Sequence, residues 1–578
     1  MSDTALSEPR HSVRVERNIP IKMRDGVVLR ADVYRPEADG RYPVIVERVA
    51  YELVGRCTSN GEFFASRGYV FVGQNVRGTF ASEGEWRPFL DDGWGANRDG
   101  YDTIEWAGVQ PWSNGRVGMA DGSYSGFSQY MVAPTRPPHL TALYVRQGGA
   151  DYYSGFWYRY GAFSLPFQKW AMQTLLAQLK HESAPQGLEA ATARLASAFD
   201  EYEDWERHLP LKSFPPLEGL LDWYFEYLDH PEDGPYWWPT NIASRFGDVD
   251  TPMLHFGAWF DVFLDGTLQA FQGIRKYGRT RACRQGQRLL IGPWIHGPGN
   301  AAKRVVGELD FGPQAVFDMS AHRLQWYDYW LKGIDNGIME GPPVRIFLMG
   351  KNEWLDFDDW PPPGITYRSA YFRAGSGKDE TSLNNGGLTF DPPDNAEHPD
   401  SFAYDPNNPM PGLRFYPTLG PVDHRGLEGE MLTYTSSELK RDLTVIGPVK
   451  AILHGLSSAP DTDWVVRLCD VWPDGRSMPV CDGILRARFR NSLQRQELLT
   501  PGKIYRYEID MSATAQVFLP GHRMRIEITS SDYPRYDRNL NTGGPFGEEV
   551  TGQIAVNTVF HDANRPSYVV LPVLEDRP

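Results

Sequence analysis

The chain has 578 residues, of which 41% are hydrophobic and 23% charged, and its net charge is −16. Single hydrophobic cores stop growing near about 250 to 300 residues, so this length calls for two or three domains, and the composition gives no reason for extended disorder. The acidic balance, with Lys and Arg scattered rather than clustered, argues against nucleic acid or an anionic membrane as a partner.

The N-terminal segment MSDTALSEPRHSVRVERN has no apolar h-region, and no run of about 18 apolar residues occurs anywhere, so a soluble cytoplasmic enzyme is expected. The stretch IPIKMRDGVVLRADVYRP alternates apolar and polar residues around Asp25-Gly26 and predicts a β-hairpin. Short, nearly continuous apolar runs follow: PVIVERV, YVFVGQNV, GRVGMADG and LTALYV, then PMLHFG and RLLIG. Strands buried on both faces by crossover helices read this way. The amphipathic stretch MSAHRLQWYDYWLKG closes the region, with Gly333 as its C′ residue.

Between about 146 and 245 the rhythm breaks. Helical periodicity appears in KWAMQTLLAQLKH and ATARLASAFDEYEDW, beside aromatic-rich segments such as GFWYRYGAF and DWYFEYLDH. Helices inserted between two sheet strands predict a cap over the C-terminal sheet edge, where ligands bind in open α/β sheets. From about 341, VRIFLMG, LTVIGPVKAILHG, DWVVRLCDVWPDG, YRYEIDM, RMRIEITSSD and SYVVLPVL read as short strands between turn residues, as in a β-sandwich of jelly-roll type. The expected division is a first core segment over 1–145, a helical cap over 146–245, a second core segment over 246–340 and a β-domain over 341–578. The 18 Trp and 29 Tyr fill cores and seams, or line an aromatic substrate pocket. Cys57, Cys283, Cys469 and Cys481 show no CxxC spacing and are expected to be free, unless Cys469 and Cys481 meet across a hairpin. No metal or cofactor is expected, and a homo-oligomer is compatible with the sequence.

The sharpest local feature is RVGMADGSYSGFSQYMVAP, an apolar strand that meets Gly122-Ser123-Tyr124-Ser125-Gly126 and runs into a helical pattern. A nucleophile elbow lifts its serine at a strained strand-to-helix turn and needs small neighbours, which Gly122, Ser125 and Gly126 supply. The strict GxSxG spacing is broken by Asp121 and Ser125. Ser125 as nucleophile places bulky Phe127 two residues on, and a Gly-Ser turn ahead of a helix can also be only an N-cap. A nucleophilic serine needs a base and an acid, in the chain order Ser, acid, His. His296 in LLIGPWIHGPG follows a buried run, and Asp261 in PMLHFGAWFDVFLDG does so too, with Asp265 as its rival. Each has a plainer reading, as a loop histidine bonded to backbone and as a turn residue. Acyl transfer also needs oxyanion donors. The Tyr124 backbone N–H is one candidate and the Tyr51 phenol in RVAYEL is the other, although Tyr51 could equally be a packing residue.

Several segments together resemble the cocaine esterase and X-prolyl dipeptidyl aminopeptidase family, which includes α-amino acid ester hydrolases: MRDGVVLRADVYRP, RVAY, RGTFASEGEW, GSYSG, GAWFD, GPWIH and FLPGHRMRIEITSSDYPRYDRNLNTG. The resemblance implies an α/β-hydrolase core with helical cap and C-terminal jelly roll, nucleophile Ser123, acid Asp261, base His296, and oxyanion donors Tyr51 and backbone Tyr124. It also makes Trp157 and Trp170 candidates for the acyl pocket. This chain departs from the family at Asp121, where Gly is usual, and at Asn75, where Asp is common. The favoured function is hydrolysis of a small or medium-sized carboxylic ester or amide through an acyl-enzyme. An aminopeptidase or amino acid ester hydrolase is the runner-up, with cap acids such as Asp151 and Glu201 as candidate ammonium partners. A binding protein on a lapsed hydrolase fold, motivated by Asp121, is the reading from another class.

Overall fold

The computed structural model describes residues 6–378, 381–411 and 420–575. The predicted hairpin is β1 (Val13–Lys22) and β2 (Val28–Pro36), with Gly26 at φ +96° in its turn, a conformation open to glycine at no steric cost. The apolar runs form β3 (Tyr42–Val49), β4 (Val70–Asn75), β5 (Ser113–Met119) and β6 (Leu140–Arg146), linked by α1 (Leu53–Ala65), α2 (Asp99–Gly108) and α3 (Tyr124–Val132). After β6 comes the cap, with the short ribbon β7 (Tyr158–Arg159) and β8 (Ala162–Phe163) and helices α4 (Pro166–Leu179), α5 (Glu189–Asp200), α6 (Tyr202–Trp205) and α7 (Asp222–Asp229). The sheet resumes with β9 (Met253–Phe260) and β10 (Arg288–Ile295), joined by α8 (Leu264–Tyr277) and α9 (Arg281–Gln285). A small hairpin, β11 (Val305–Val306) and β12 (Leu309–Asp310), precedes α10 (Met319–Lys332), β13 (Val344–Leu348) and β14 (Glu353–Phe357).

Ten strands make one sheet in the order β1-β2-β4-β3-β5-β6-β9-β10-β13-β14, parallel from β4 through β13. Every residue of β4 and of β9 is buried, as a parallel sheet covered on both faces requires. Phe64 of α1 and Leu324, Tyr327 and Leu331 of α10 pack on one face, and Ile104, Tyr130, Val132, Ala270 and Ile274 on the other. α10 is capped by the Asp318 side chain, which accepts from the Ala321 N–H at 2.9 Å, and it ends at Gly333 in the left-handed region as expected. The chain leaves β3 toward β4 on one side and returns to β5 on the other. A crevice at the C-terminal strand ends results there.

One strand differs from the sequence reading. VRIFL, expected to open the β-domain, instead pairs in parallel with β10 as β13, and β14 closes the hydrolase sheet beside it. A five-residue apolar run carries no mark of which sheet will accept it. Among the described residues, the C-terminal β-rich domain then holds eleven strands, β15 (Ile365–Arg373) through β25 (Tyr568–Leu574), in one hydrogen-bonded sheet. Its long strand β19 (Leu443–Ser457) pairs with β22 (Tyr505–Phe518), and also with β24 (Ala555–Phe560) and β25. All four cysteines are free. Cys469 and Cys481 do sit on paired strands, β20 (Asp463–Val471) and β21 (Ser477–Arg486), but Cys481 faces Leu468 and Cys469 faces Pro479.

The fully buried His255 of β9 links α3 to the turn ahead of β10 as a neutral imidazole. Nδ1 accepts from the Tyr130 hydroxyl at 2.7 Å and Nε2–H donates to Gln287 Oε1 at 2.9 Å. Burial lowers its pKa from 6.5 to about 4. The unfolded chain therefore takes up this proton first, and stability is lost as pH falls from 6.5 to about 4, by roughly 3 kcal/mol at most for this group. Thermal melts across that interval are expected to show the decline, and His255→Gln to flatten it. An equal slope in both proteins would mean other groups carry the acid sensitivity.

Candidate active site

Four neighbouring strands of the parallel sheet, β5, β6, β9 and β10, bring the site together. β5 ends at the elbow, where Ser123 adopts φ 59° and ψ −120°, and Tyr124 begins α3. That backbone conformation is sparsely populated for a residue with a Cβ and persists only where the surroundings over-determine it. They do so here. The Ser123 N–H donates to Arg146 O at 3.0 Å and Gln147 O at 3.2 Å. A Cβ on Gly122 would come within 2.2 Å of Arg146 O, and one on Gly126 within 3.0 Å of Gly148 Cα, so only glycine lets the elbow sit this close to the end of β6.

Asp261 directly follows β9 and His296 directly follows β10. His296 Nε2 lies 3.0 Å from Ser123 Oγ, and its Nδ1 lies 2.8 Å from Asp261 Oδ2. The other Asp261 oxygen accepts from the Phe263 N–H at 2.7 Å, which orients the carboxylate, and the Phe263 ring packs edge-on against His296 with centroids 5.2 Å apart. The His296 loop is held by a residue the sequence reading missed. Gln147, buried at the end of β6, donates to Ile295 O at 2.9 Å and accepts from the Gly297 N–H at 3.0 Å. Asn300 adds a bond to His296 O at 2.7 Å. A polar residue directly after a buried strand and before two glycines was the available signal for Gln147.

The rivals are engaged elsewhere. Asp265 accepts from Ser512 Oγ and pairs with Arg159 at 2.9 Å, joining core, cap and β-domain. Ser125 is buried and donates to Glu47 Oε1 at 3.3 Å.

Tyr51 and Tyr124 flank Ser123, with ring centroids 6.1 Å apart. The Tyr124 N–H opens α3 and so lacks an intrahelical acceptor, and the Tyr51 hydroxyl interacts with the Ser123 side chain. Burial raises the Tyr51 pKa, which keeps the phenol protonated. Asn75, the departure noted from sequence, donates its side-chain amide to Tyr51 O at 2.8 Å and so pins the backbone carrying that phenol. An ionised aspartate there has no proton to donate. Of the two tryptophans, Trp170 reaches the site: its indole N–H donates to Tyr51 Oη at 3.0 Å. Trp157 does not line an open pocket. It is fully buried and stacks on Phe163, 5.7 Å away, with Tyr227 at 5.2 Å on another side, so it fills the cap core instead.

The Asp121 carboxylate accepts from Arg146 Nη2 at 2.6 Å and Asn60 Nδ2 at 2.9 Å, with Arg56 at 3.7 Å and Arg323 at 3.9 Å. Burial pushes its pKa up, but the charges of Arg56, Arg146 and Arg323 outweigh this and hold the carboxyl well below the usual carboxylate range. Its φ of +76° explains why glycine is the unstrained choice at this position. Asp121 balances the buried Arg146, whose carbonyl supports Ser123.

Among the described residues, one buried cluster, His424, Cys469 and Glu527 in the β-domain, has metal-like spacing. His424 Nδ1 bonds Glu527 at 2.8 Å and Cys469 Sγ donates to it at 3.3 Å, so the carboxylate is already partnered by both neighbours.

A serine on a strained elbow, a histidine between it and a buried aspartate, and an α/β sheet beneath a helical cap define a serine hydrolase of the α/β-hydrolase class. Residues 25–298 match the X-Pro dipeptidyl-peptidase (S15 family), and residues 336–570 match the X-Pro dipeptidyl-peptidase C-terminal non-catalytic domain. The chain is 35% identical to the cocaine esterase of Rhodococcus sp. over 97% of its own length and 99% of that protein. An α-amino acid ester hydrolase superposes with a TM-score of 0.80 at 25% identity, covering 99% of this chain and 98% of the other. An aminopeptidase from a Thaumarchaeota archaeon shares the fold, with a TM-score of 0.79 at 24% identity and coverage of 99% and 98%. The chain belongs to the cocaine esterase and X-Pro dipeptidyl-peptidase family of serine hydrolases.

Asp121→Asn is expected to lower the unfolding free energy by about 3 kcal/mol, because it leaves the buried Arg146 without its full counter-charge. Urea unfolding followed by tryptophan fluorescence reads this directly. An unchanged midpoint would show that Glu47 and Asn60 suffice to hold the cluster.

Proposed function

We propose that this serine ester hydrolase works through Ser123, His296 and Asp261, with Tyr51 and the Tyr124 N–H binding the oxyanion. The observation that carries the proposal is the pair of contacts at 3.0 and 2.8 Å that aligns Ser123, His296 and Asp261 in the required order. His296 Nε2 takes the Ser123 proton as Oγ bonds to the ester carbonyl carbon, and the carbonyl electron pair moves onto the oxygen. Asp261 stabilises the imidazolium and fixes its tautomer. The tetrahedral adduct collapses, the C–O bond to the alcohol breaks, and His296 hands its proton to the departing alkoxide. Water then repeats the sequence on the acyl-enzyme: His296 accepts its proton and returns it to Ser123, and the carboxylic acid leaves.

The acyl group we infer is apolar and flat. Trp170, Phe263 and Phe156 pack together beside the reacting groups, with Phe156 centred 5.2 Å from Trp170 and 5.5 Å from Phe263. Large rigid rings favour a planar apolar partner. The cap acids weighed as ammonium partners support a blocked rather than a free amino group. Asp151 is committed to Ser154 Oγ at 2.6 Å and to the Tyr153 N–H at 3.0 Å, and Glu201 is exposed beyond the end of α5. A desolvated ammonium without a counter-charge is strongly disfavoured. The β-domain, read as jelly-roll-like, serves as support, reaching the core through Ser512 and Asp265. The four free cysteines fit a reducing, cytoplasmic setting, and among the described residues no helix is long and apolar enough to cross a membrane.

A fluorophosphonate is expected to add once, on Ser123, in intact-mass and peptide analysis; a folded protein without the adduct would sink the mechanism. Ser123→Ala and His296→Ala should each lower kcat by about four to six orders of magnitude with the melting temperature little changed. Matched esters with free and acylated amino groups separate the two substrate classes. Higher kcat/KM for the acylated form is expected, and the reverse preference would favour the amino acid ester hydrolase reading.

A further inference from the structure

A phenol oxygen can donate or accept, so Tyr51 serves an oxyanion only when its proton points toward the reacting centre. Trp170, 119 residues away in sequence and carried by the cap helix α4, bears on that direction. Its indole N–H, which is a donor only, reaches Tyr51 Oη at 3.0 Å. Tyr51 is therefore the acceptor in this bond, and its own O–H is left to donate elsewhere, beside the elbow residue Tyr124, whose ring lies 6.1 Å away. Accepting one hydrogen bond also polarises the phenol and strengthens it as a donor in the next.

The other degrees of freedom of Tyr51 are already held. Asn75 bonds its carbonyl at 2.8 Å, and the Arg56 guanidinium lies 5.6 Å from its ring centre. Trp170 is held as well, by ring contacts to Phe156 at 5.2 Å, Trp86 at 5.8 Å and Tyr124 at 6.4 Å. The hydroxyl rotor is the one torsion these contacts leave, and the indole N–H sets it.

We propose that Trp170 is a positioning residue, which completes the oxyanion hole from the cap by directing the Tyr51 O–H at the developing oxyanion. The proposal rests on the reading of Tyr51 as an oxyanion donor. It gives a cap residue an effect on the chemical step, beyond any part its ring plays in holding the acyl group.

A double-mutant cycle separates the two. Tyr51→Phe alone should lower kcat by about 100- to 1,000-fold, the usual effect of losing one oxyanion donor. Trp170→Phe keeps an aromatic ring but removes the N–H, and should lower kcat by roughly tenfold with KM nearly constant. The double variant should be no slower than Tyr51→Phe, because Trp170 acts through a group already gone. Replacing Trp170 by β-(3-benzothienyl)alanine, which has the indole shape without the N–H, should reproduce the Trp170→Phe loss. It should also weaken binding of a trifluoromethyl ketone analogue by the same factor, and it covers the case in which Trp170→Phe misfolds. Losses that multiply in the double variant, or full kcat with the benzothienyl side chain, would overturn the role of Trp170. A small loss in Tyr51→Phe would overturn the oxyanion reading itself, and the Trp170 proposal with it.

Discussion

The structure depends on the close approach of the elbow to the end of β6. Ser123 holds a backbone conformation that costs on the order of 1 to 3 kcal/mol, and β6 supplies the restraint. The carbonyls of Arg146 and Gln147 accept the Ser123 N–H, and glycines at 122 and 126 let the two segments touch. The same two residues reach outward. The Arg146 guanidinium meets Asp121 beneath the elbow, and the Gln147 amide grips the backbone on both sides of His296. β6 contributes no member of the proposed triad, yet it fixes Ser123 and His296 relative to each other. A shift at this strand end would move both.

Charge buried under the elbow has the same logic. Glu47, Arg56, Asp121, Arg146 and Arg323 share a nearly dry space, where unpaired charge is strongly destabilising and paired charge is nearly neutral. Burial and the neighbouring Asp121 charge raise the Glu47 pKa, while three guanidinium groups lower that of Asp121. The cluster supports Ser123 by fixing Arg146 and Gly122, whose carbonyl accepts from Arg56 at 3.4 Å. Above the elbow the medium changes. There the rings of Tyr51, Tyr124 and the cap residue Trp170 pack against one another.

Much of this was legible in the amino-acid sequence, for reasons that are local. An apolar run bounded by turn residues gives a buried strand whatever surrounds it. The Gly-Ser-Tyr-Ser-Gly stretch has the small residues an elbow needs, and the order Ser123, Asp261, His296 follows the chain order of the fold. Trp157 and Trp170 looked alike because spacing along the chain does not say which ring turns toward Ser123. β13 joined the hydrolase sheet rather than the β-domain; a five-residue apolar run fits either sheet. Asp121 looked like a flaw because its partners, Arg56, Arg146 and Arg323, come from three distant segments.

The sequence by itself therefore determined the element types, the cap insertion and the identity of the three candidate catalytic residues, since these follow from periodicity, turn chemistry and order. Only the tertiary structure decided how those residues are held. Gln147 on the His296 loop, Asn75 and Trp170 on Tyr51, and the arginines around Asp121 act across long chain separations. Hydrogen-bond direction and charge balance are properties of groups brought together in space, and no local pattern encodes them.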